Sequence, residues 1–128
     1  MKVLSLQTGS GTDFINITDY VRAVVQELGL REGAVTIFVP HTTAGITINE
    51  NADPDVVRDL TTTLDRLVPW RGDYHHGEGN SAAHIKASLM GSSVRVLVSD
   101  GRLQLGTWQG VYFCEFDGPR QREVWLGA

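Results

Sequence analysis

Hydrophobic and polar positions alternate in short runs along most of this chain, and turns rich in glycine and aspartate separate the runs. KVLSLQT at 2–8 and DFINIT at 13–18 read as two short strands, with GSG at 9–11 as a hairpin turn between them. The period then lengthens. Val21, Val24, Val25 and Leu28 fall on one helical face, Thr18 or Asp19 supplies a cap, and Gly29 supplies a stop. AVTIFVP at 34–40 is an apolar, β-branched run and predicts a buried strand. AGITINE at 44–50 predicts another, with Ile46 and Ile48 on one face and Thr47 and Asn49 on the other.

Residues 51–69, NADPDVVRDLTTTLDRLVP, carry the clearest helical pattern. Asp53 suits the N-cap and Pro54 the first helical position, where a missing N–H costs nothing. Val56, Leu60, Leu64 and Leu67 form the expected apolar stripe. The threonines at 61–63 lower local propensity, so this helix depends on packing. A histidine-rich loop follows, then a short helix SAAHIKASLMG ending near Gly91. SVRVLVS, RLQLG, GVYFCEF and REVWLG complete the chain as four strands, with turns at DG, TWQ and DGPR. The order β-β-α-β-β-α-α-β-β-β-β does not alternate, so it predicts one α+β domain over 1–128: a mostly antiparallel sheet or sandwich packed with helices.

Composition narrows the class. At 128 residues, 41% hydrophobic and 20% charged, the chain can bury a core without metal or disulfide staples. A net charge of −4 and the lack of a basic stretch argue against nucleic acid as a partner. No run is apolar enough to span a membrane, and no polybasic segment suggests a membrane surface. The N-terminus has no signal-peptide core and Cys114 is the single cysteine, so a cytoplasmic location is expected.

Three of the four histidines fall in HHGEGNSAAH at 75–84. Asn80 is placed to cap the helix that follows, with His84 one turn inside it, where the helix dipole favours neutral imidazole. His41 stands at the end of the buried strand, in PHTTAGITINE. Together His41, His76 and His84 have the makings of a three-histidine zinc site open to water or substrate. The plainer alternatives are a polar surface turn, and a His41 bonded to a threonine. Glu50, beside the long helix, suits a general base or metal ligand, or simply favours the positive helix end. Thr107, Trp108 and Gln109 in one turn suit a flat heterocycle, or a tryptophan capping the core. Arg120 offers a planar fork for phosphate, and DGPR otherwise reads as a hairpin turn. Cys114 alternates with Tyr112 and Phe116 and reads as packing. No glycine-rich nucleotide loop is present.

HTTAGITINENADPDV, HHGEGNSAAHIKASLMGSS, DGRLQLGTWQGV and EFDGPRQREV, spread in order over residues 41–124, strongly resemble the YjbQ family. One departure is VRVLVSDG, where many relatives have a proline in the strand. The resemblance implies a compact α+β fold assembled as a homotrimer. It also implies a metal and ligand site at His41, at His84 and at the histidine after Tyr74, with His76 favoured over His75. Glu50, Asn80, Thr107 and Gln109 sit on family motif positions too.

The implied activity is secondary thiamine-phosphate synthase, joining a pyrimidine pyrophosphate to a thiazole phosphate. In that reading His41 and Glu50 serve catalysis, and Asn80, Thr107, Trp108, Gln109 and Arg120 hold a small phosphorylated substrate. The metal is zinc, or magnesium for a pyrophosphate. Two other functions compete: a metal-dependent hydrolase of a small phosphorylated substrate, and a non-catalytic trimeric ligand-binding protein.

Overall fold

A computed structural model describes residues 1–128. The elements come in the expected order: β1 (Lys2–Gln7), β2 (Asp13–Asn16), α1 (Thr18–Glu27), β3 (Gly33–Phe38), β4 (Ala44–Glu50), α2 (Pro54–Leu67), α3 (Ser81–Met90), β5 (Ser93–Ser99), β6 (Arg102–Leu103), β7 (Gln109–Glu115) and β8 (Gln121–Gly127). They form two antiparallel sheets, one ordered β1-β8-β3-β5-β6 and the other β2-β7-β4. The architecture is α+β, with eight strands and three helices.

The connections depart from the sequence reading. GSG is not a hairpin turn, because β1 pairs with β8 while β2 pairs with β7 in the other sheet. TWQ and DGPR likewise carry the chain from the five-stranded sheet to the three-stranded one and back. TWQ is a turn as expected, Gln109 N donating to Gly106 O at 3.0 Å, and DG closes a hairpin: Asp100 and Gly101 both take positive φ, 53° and 73°, between Ser99 and Arg102. Short connections made local pairing look natural, but strands with one apolar face bury more area by stacking the sheets.

The main core lies between the sheets. Val35 and Ile37 of β3, Val96 and Val98 of β5, and Val124 and Leu126 of β8 meet Ile46 of β4 and Val111 and Phe113 of β7. Val21, Val24 and Val25 of α1 join this cluster. The cap of α1 lies earlier than expected: Asn16 Oδ1 accepts from Thr18 N at 3.0 Å and Thr18 Oγ1 at 2.6 Å. Thr18 Oγ1 in turn accepts from Val111 N, which fixes the helix start to β7.

β7 is buried on both faces. Tyr112, Cys114 and Phe116 point away from the main core into a second one, closed by Leu64 of α2 and Ala83 and Ala87 of α3. Asp53 caps α2 as expected, accepting from Asp55 N at 2.9 Å, with Pro54 at its start. The buried stripe of α2 is rotated from the expected one. Leu64 and Val68 are buried and Val57 packs against the second core, whereas Leu67 is exposed. α3 presses on β4, where a Cβ on Gly45 would lie 2.8 Å from Gly91 O and 2.9 Å from Met90 Cβ. No helix is long and apolar enough to cross a membrane.

Candidate functional site

Alternation along β7 and β8 places two charged residues where apolar ones are expected. Glu115 shares the inward face of β7 with Val111 and Phe113, and Arg122 shares that of β8 with Val124 and Leu126. The two meet between the sheets as a bidentate pair. Arg122 Nε donates to Glu115 Oε1 at 2.8 Å and Nη2 to Oε2 at 2.5 Å. Thr8 Oγ1 and Asp117 N also donate to this carboxylate, and Arg122 Nη2 reaches Thr43 Oγ1 at 2.7 Å. Burial alone would raise the Glu115 pKa, but the hydrogen bonds from Arg122, Asp117 N and Thr8 overcome it and hold the carboxyl below its ordinary range. A buried charge pair this well bonded is a rigid floor.

Above that floor opens a pocket of about 610 Å³. His41 and Thr43 come from the β3–β4 connection, His76 and Glu78 from the glycine-rich loop, Asn80 and His84 from the start of α3, and Asp117, Arg120 and Arg122 from the approach to β8. Five of the expected site residues, His41, His76, Asn80, His84 and Arg120, therefore share one pocket. His75 lies outside it, in a neighbouring hollow beside Tyr74.

His41 Nε2 accepts from Glu123 N at 2.9 Å. In neutral imidazole the proton then sits on Nδ1, so His41 presents an N–H donor. Partial burial, and next the Arg122 charge, lower its pKa from the usual value and keep it neutral. His76 and His84 meet edge to face with ring centroids 5.5 Å apart. His76 Nε2 is 4.0 Å from Glu78 Oε1. Arg120 Nη2 donates to Asp117 Oδ2 at 3.0 Å, so both guanidinium charges in the pocket are matched by carboxylates.

Asn80 does not cap α3 with its side chain. Its Nδ2 donates to Asp117 Oδ2 at 2.9 Å instead, and its buried Oδ1 has no partner. The charge-assisted bond to Asp117 orients the amide through Nδ2, and in that orientation Oδ1, the atom a cap would use, meets no backbone N–H.

Nowhere do three His, Cys, Asp or Glu groups come together as a metal-binding set. His41 in particular has its only lone-pair nitrogen engaged with Glu123 N, so it ligates a metal only if that bond is given up. His76 and His84 are the two imidazoles whose rings meet, and they meet edge to face.

Glu50, Thr107, Trp108 and Gln109 are elsewhere. Glu50 pairs with Gln109 at one end of the β4–β7 ladder, while the pocket end is marked by Ala44 opposite Glu115. Six residues of strand put roughly 20 Å between them, at about 3.3 Å per residue. Within one chain Glu50 therefore does not work beside His41. It accepts from Ala52 N through Oε2, and Tyr112 Oη donates to its carbonyl. Burial, then the Glu50 charge, raise the pKa of Tyr112. Trp108 is 64% exposed, so it is no core cap. Cys114 is buried and burial pushes its thiol pKa well up, which fits packing and not nucleophilic chemistry.

Sequence reasoning missed Glu115, Arg122, Thr8, Thr43, Glu78 and Asp117. For Glu115 and Arg122 a signal was present: each is a charge at an inward, apolar-parity position of its strand. The others come from loops, which carry no such period.

Fold and site together define a class: a two-sheet α+β protein with a polar, histidine-lined pocket where the strands of both sheets end. Residues 2–128 match the family model described as "UPF0047 protein YjbQ-like", and the chain belongs to that family. It is 53% identical over 127 residues to the UPF0047 protein YugU of Bacillus subtilis, covering 98% of this chain and 96% of that one. A UPF0047 protein of Methanocaldococcus jannaschii is 48% identical, covering 94% and 88%. A crystal structure of an uncharacterized YjbQ/UPF0047 protein from Clostridium acetobutylicum superposes with a TM-score of 0.98 at 57% identity, covering 99% and 98%. A conserved hypothetical protein of Thermus thermophilus superposes at 0.91 with 45% identity, covering 99% and 98%.

Proposed function

We propose that the histidine pocket binds a small phosphorylated molecule and transfers protons to or from it, and that thiamine-phosphate synthesis is the reaction to test first. One observation carries this: three imidazoles, Arg120 and the start of α3 line the same pocket. α3 has no acidic residue in its own first turn, and the Asp117 carboxylate held at Asn80 is matched by Arg120. The His41 Nδ1–H is a neutral donor suited to a phosphoryl oxygen. Joining a pyrimidine pyrophosphate to a thiazole phosphate expels pyrophosphate, whose developing charge needs such donors.

The test is turnover of that substrate pair, measured against p-nitrophenyl phosphate. Thiamine phosphate formed by the wild type and lost in His41→Ala and Arg120→Ala supports the transferase. Turnover of the phosphatase substrate alone favours a hydrolase. Binding of phosphate without either reaction leaves a ligand-binding protein.

A divalent metal, zinc before magnesium, belongs to the same proposal, held by His76 and His84; bound, it would supply Lewis acidity. Metal analysis after chelation and reloading, on wild type and His84→Ala, checks it. We also propose a homotrimer. Its support is an apolar row on the outward face of the five-stranded sheet, where Val3, Trp125 and Phe38 are register neighbours and Phe38 and Val3 are exposed. Sedimentation at micromolar concentration decides the state. A cytoplasmic location remains part of this reading.

A further inference from the structure

The histidine pocket does not stop at its histidines. His41, Thr42, His84 and Ser92 also line a second hollow of about 470 Å³, which continues the first toward Ala44, Ala87, Ser88 and Gly91. Two imidazoles therefore stand where the hollows join. Asn80, His84 and Ser88 are spaced four apart along one face of α3, and Gly91 closes the helix. The joined hollows thus form one groove that follows α3 from its start to its end.

The two ends of the groove differ in charge. Beside the start of α3 stand Arg120, Arg122 and Asp117, where the helix presents the positive end of its dipole. At the far end no lysine, arginine, aspartate or glutamate lines the groove, and the dipole presents its negative end. An anion placed there loses water and gains no partner, and a cation meets no carboxylate. Hydroxyl groups are what the far end offers. Thr42, Ser88 and Ser92 are exposed, and only Ser88 has its proton committed, donating to His84 O at 3.0 Å. Ala44 and Ala87, both buried, floor this end with methyl groups.

We propose that the groove takes a phosphate monoester lengthwise, its phosphoryl group at the Asn80 end and a short, uncharged, hydroxylated chain at the Ser88 end. The ester bond then lies beside His41 and His84, at the junction of the two hollows. A second ionised group on the chain is selected against, because the far end has nothing to match it. This rests on the phosphate reading of the histidine pocket and adds to it the class of the remaining substrate.

Three probes separate the head from the chain. They are methyl phosphate, glycerol phosphate esterified at a terminal carbon, and the phosphoglycerate whose carboxylate replaces the free terminal hydroxymethyl group. Binding is followed by the imidazole resonances of His41 and His84, identified by their loss in His41→Gln and His84→Ala. Methyl phosphate tests the phosphate reading alone. Glycerol phosphate should bind roughly tenfold more tightly than methyl phosphate, the effect of one or two added hydrogen bonds. Phosphoglycerate should bind at least about tenfold more weakly than glycerol phosphate. Ser88→Arg, at an exposed helix position, places a guanidinium at the far end and should bring those two constants together or reverse their order. If methyl phosphate binds and glycerol phosphate binds no tighter, the proposal falls while the phosphate reading stands. Phosphoglycerate binding as well as glycerol phosphate, or a ratio unchanged in Ser88→Arg, overturns it in the same way. If none of the three binds, both readings fall.

Discussion

The two helices that cover the three-stranded sheet are built on opposite logic. α2 has a bonded Asp53 cap, Pro54 at its start and an inward line of Val57, Leu64 and Val68. α3 has no side-chain cap, places Lys86 inward and leaves Ile85 and Leu89 outward. Seated on β4 at Gly45, α3 brings Asn80 and His84 to one pocket and Lys86 to another. α2 keeps its expected cap and an apolar inward line, and lines the histidine pocket nowhere. The helix that supplies more of the packing keeps its apolar period, and the helix that supplies the histidine pocket gives some of it up.

The largest expected effect removes what anchors α2. Leu64→Ala should cost about 3 kcal/mol in denaturant unfolding, because Leu64 touches the second core and little there can collapse into the space. A cost near that of an exposed leucine would mean that α2 is a loose cover.

Next comes the seat of α3. Gly45→Ala should cost about 2 kcal/mol by pushing α3 off β4, and should weaken phosphate binding as Asn80 and His84 shift. Lost stability with intact phosphate binding would break the link between seat and site.

The caps give a smaller, sharper contrast. Asp53→Ala should cost about 1 kcal/mol. Asn80→Ala removes an unpartnered buried oxygen together with the bond to Asp117, so its net cost should be well below that, about 0.5 kcal/mol or less. Equal losses at the two positions would show that Asn80 caps its helix in solution.

The smallest effect concerns pH. Glu115 has a depressed pKa in the folded chain, so its contribution is present above the ordinary carboxylate value near 4.5 and is lost as pH falls through the lower folded value. His41 is depressed from 6.5, so the unfolded chain takes up its proton first as pH falls below that value, and stability drops there too. Thermal unfolding should therefore weaken in two steps on acidification. His41→Gln should remove the upper one and leave the lower.

Much of this molecule is readable in one dimension. The order of eleven elements, the DG hairpin and the cap of α2 follow from periodicity and short-range bonding, which act over a few residues. The histidines are legible as candidates because the chain has only four, and three of them fall within ten residues.

Which strands pair was not readable. GSG, TWQ and DGPR have turn chemistry in common, and no local signal says whether a turn closes a hairpin or crosses between sheets. Glu50, Trp108 and Gln109 looked like neighbours of the histidines until the ladder of β4 and β7 set them at its opposite end. Asn80 had the sequence of a cap and gave its amide to Asp117, 37 residues away. The sequence by itself determined the elements and the reactive residues, since both depend on local backbone preference and side-chain identity. Tertiary structure alone decided that His41, His76, His84 and Arg120 share a pocket, that Glu115 and Arg122 form its floor, and that Lys86 is buried. Those outcomes depend on which distant surfaces exclude water together, and that is a property of the whole packed chain.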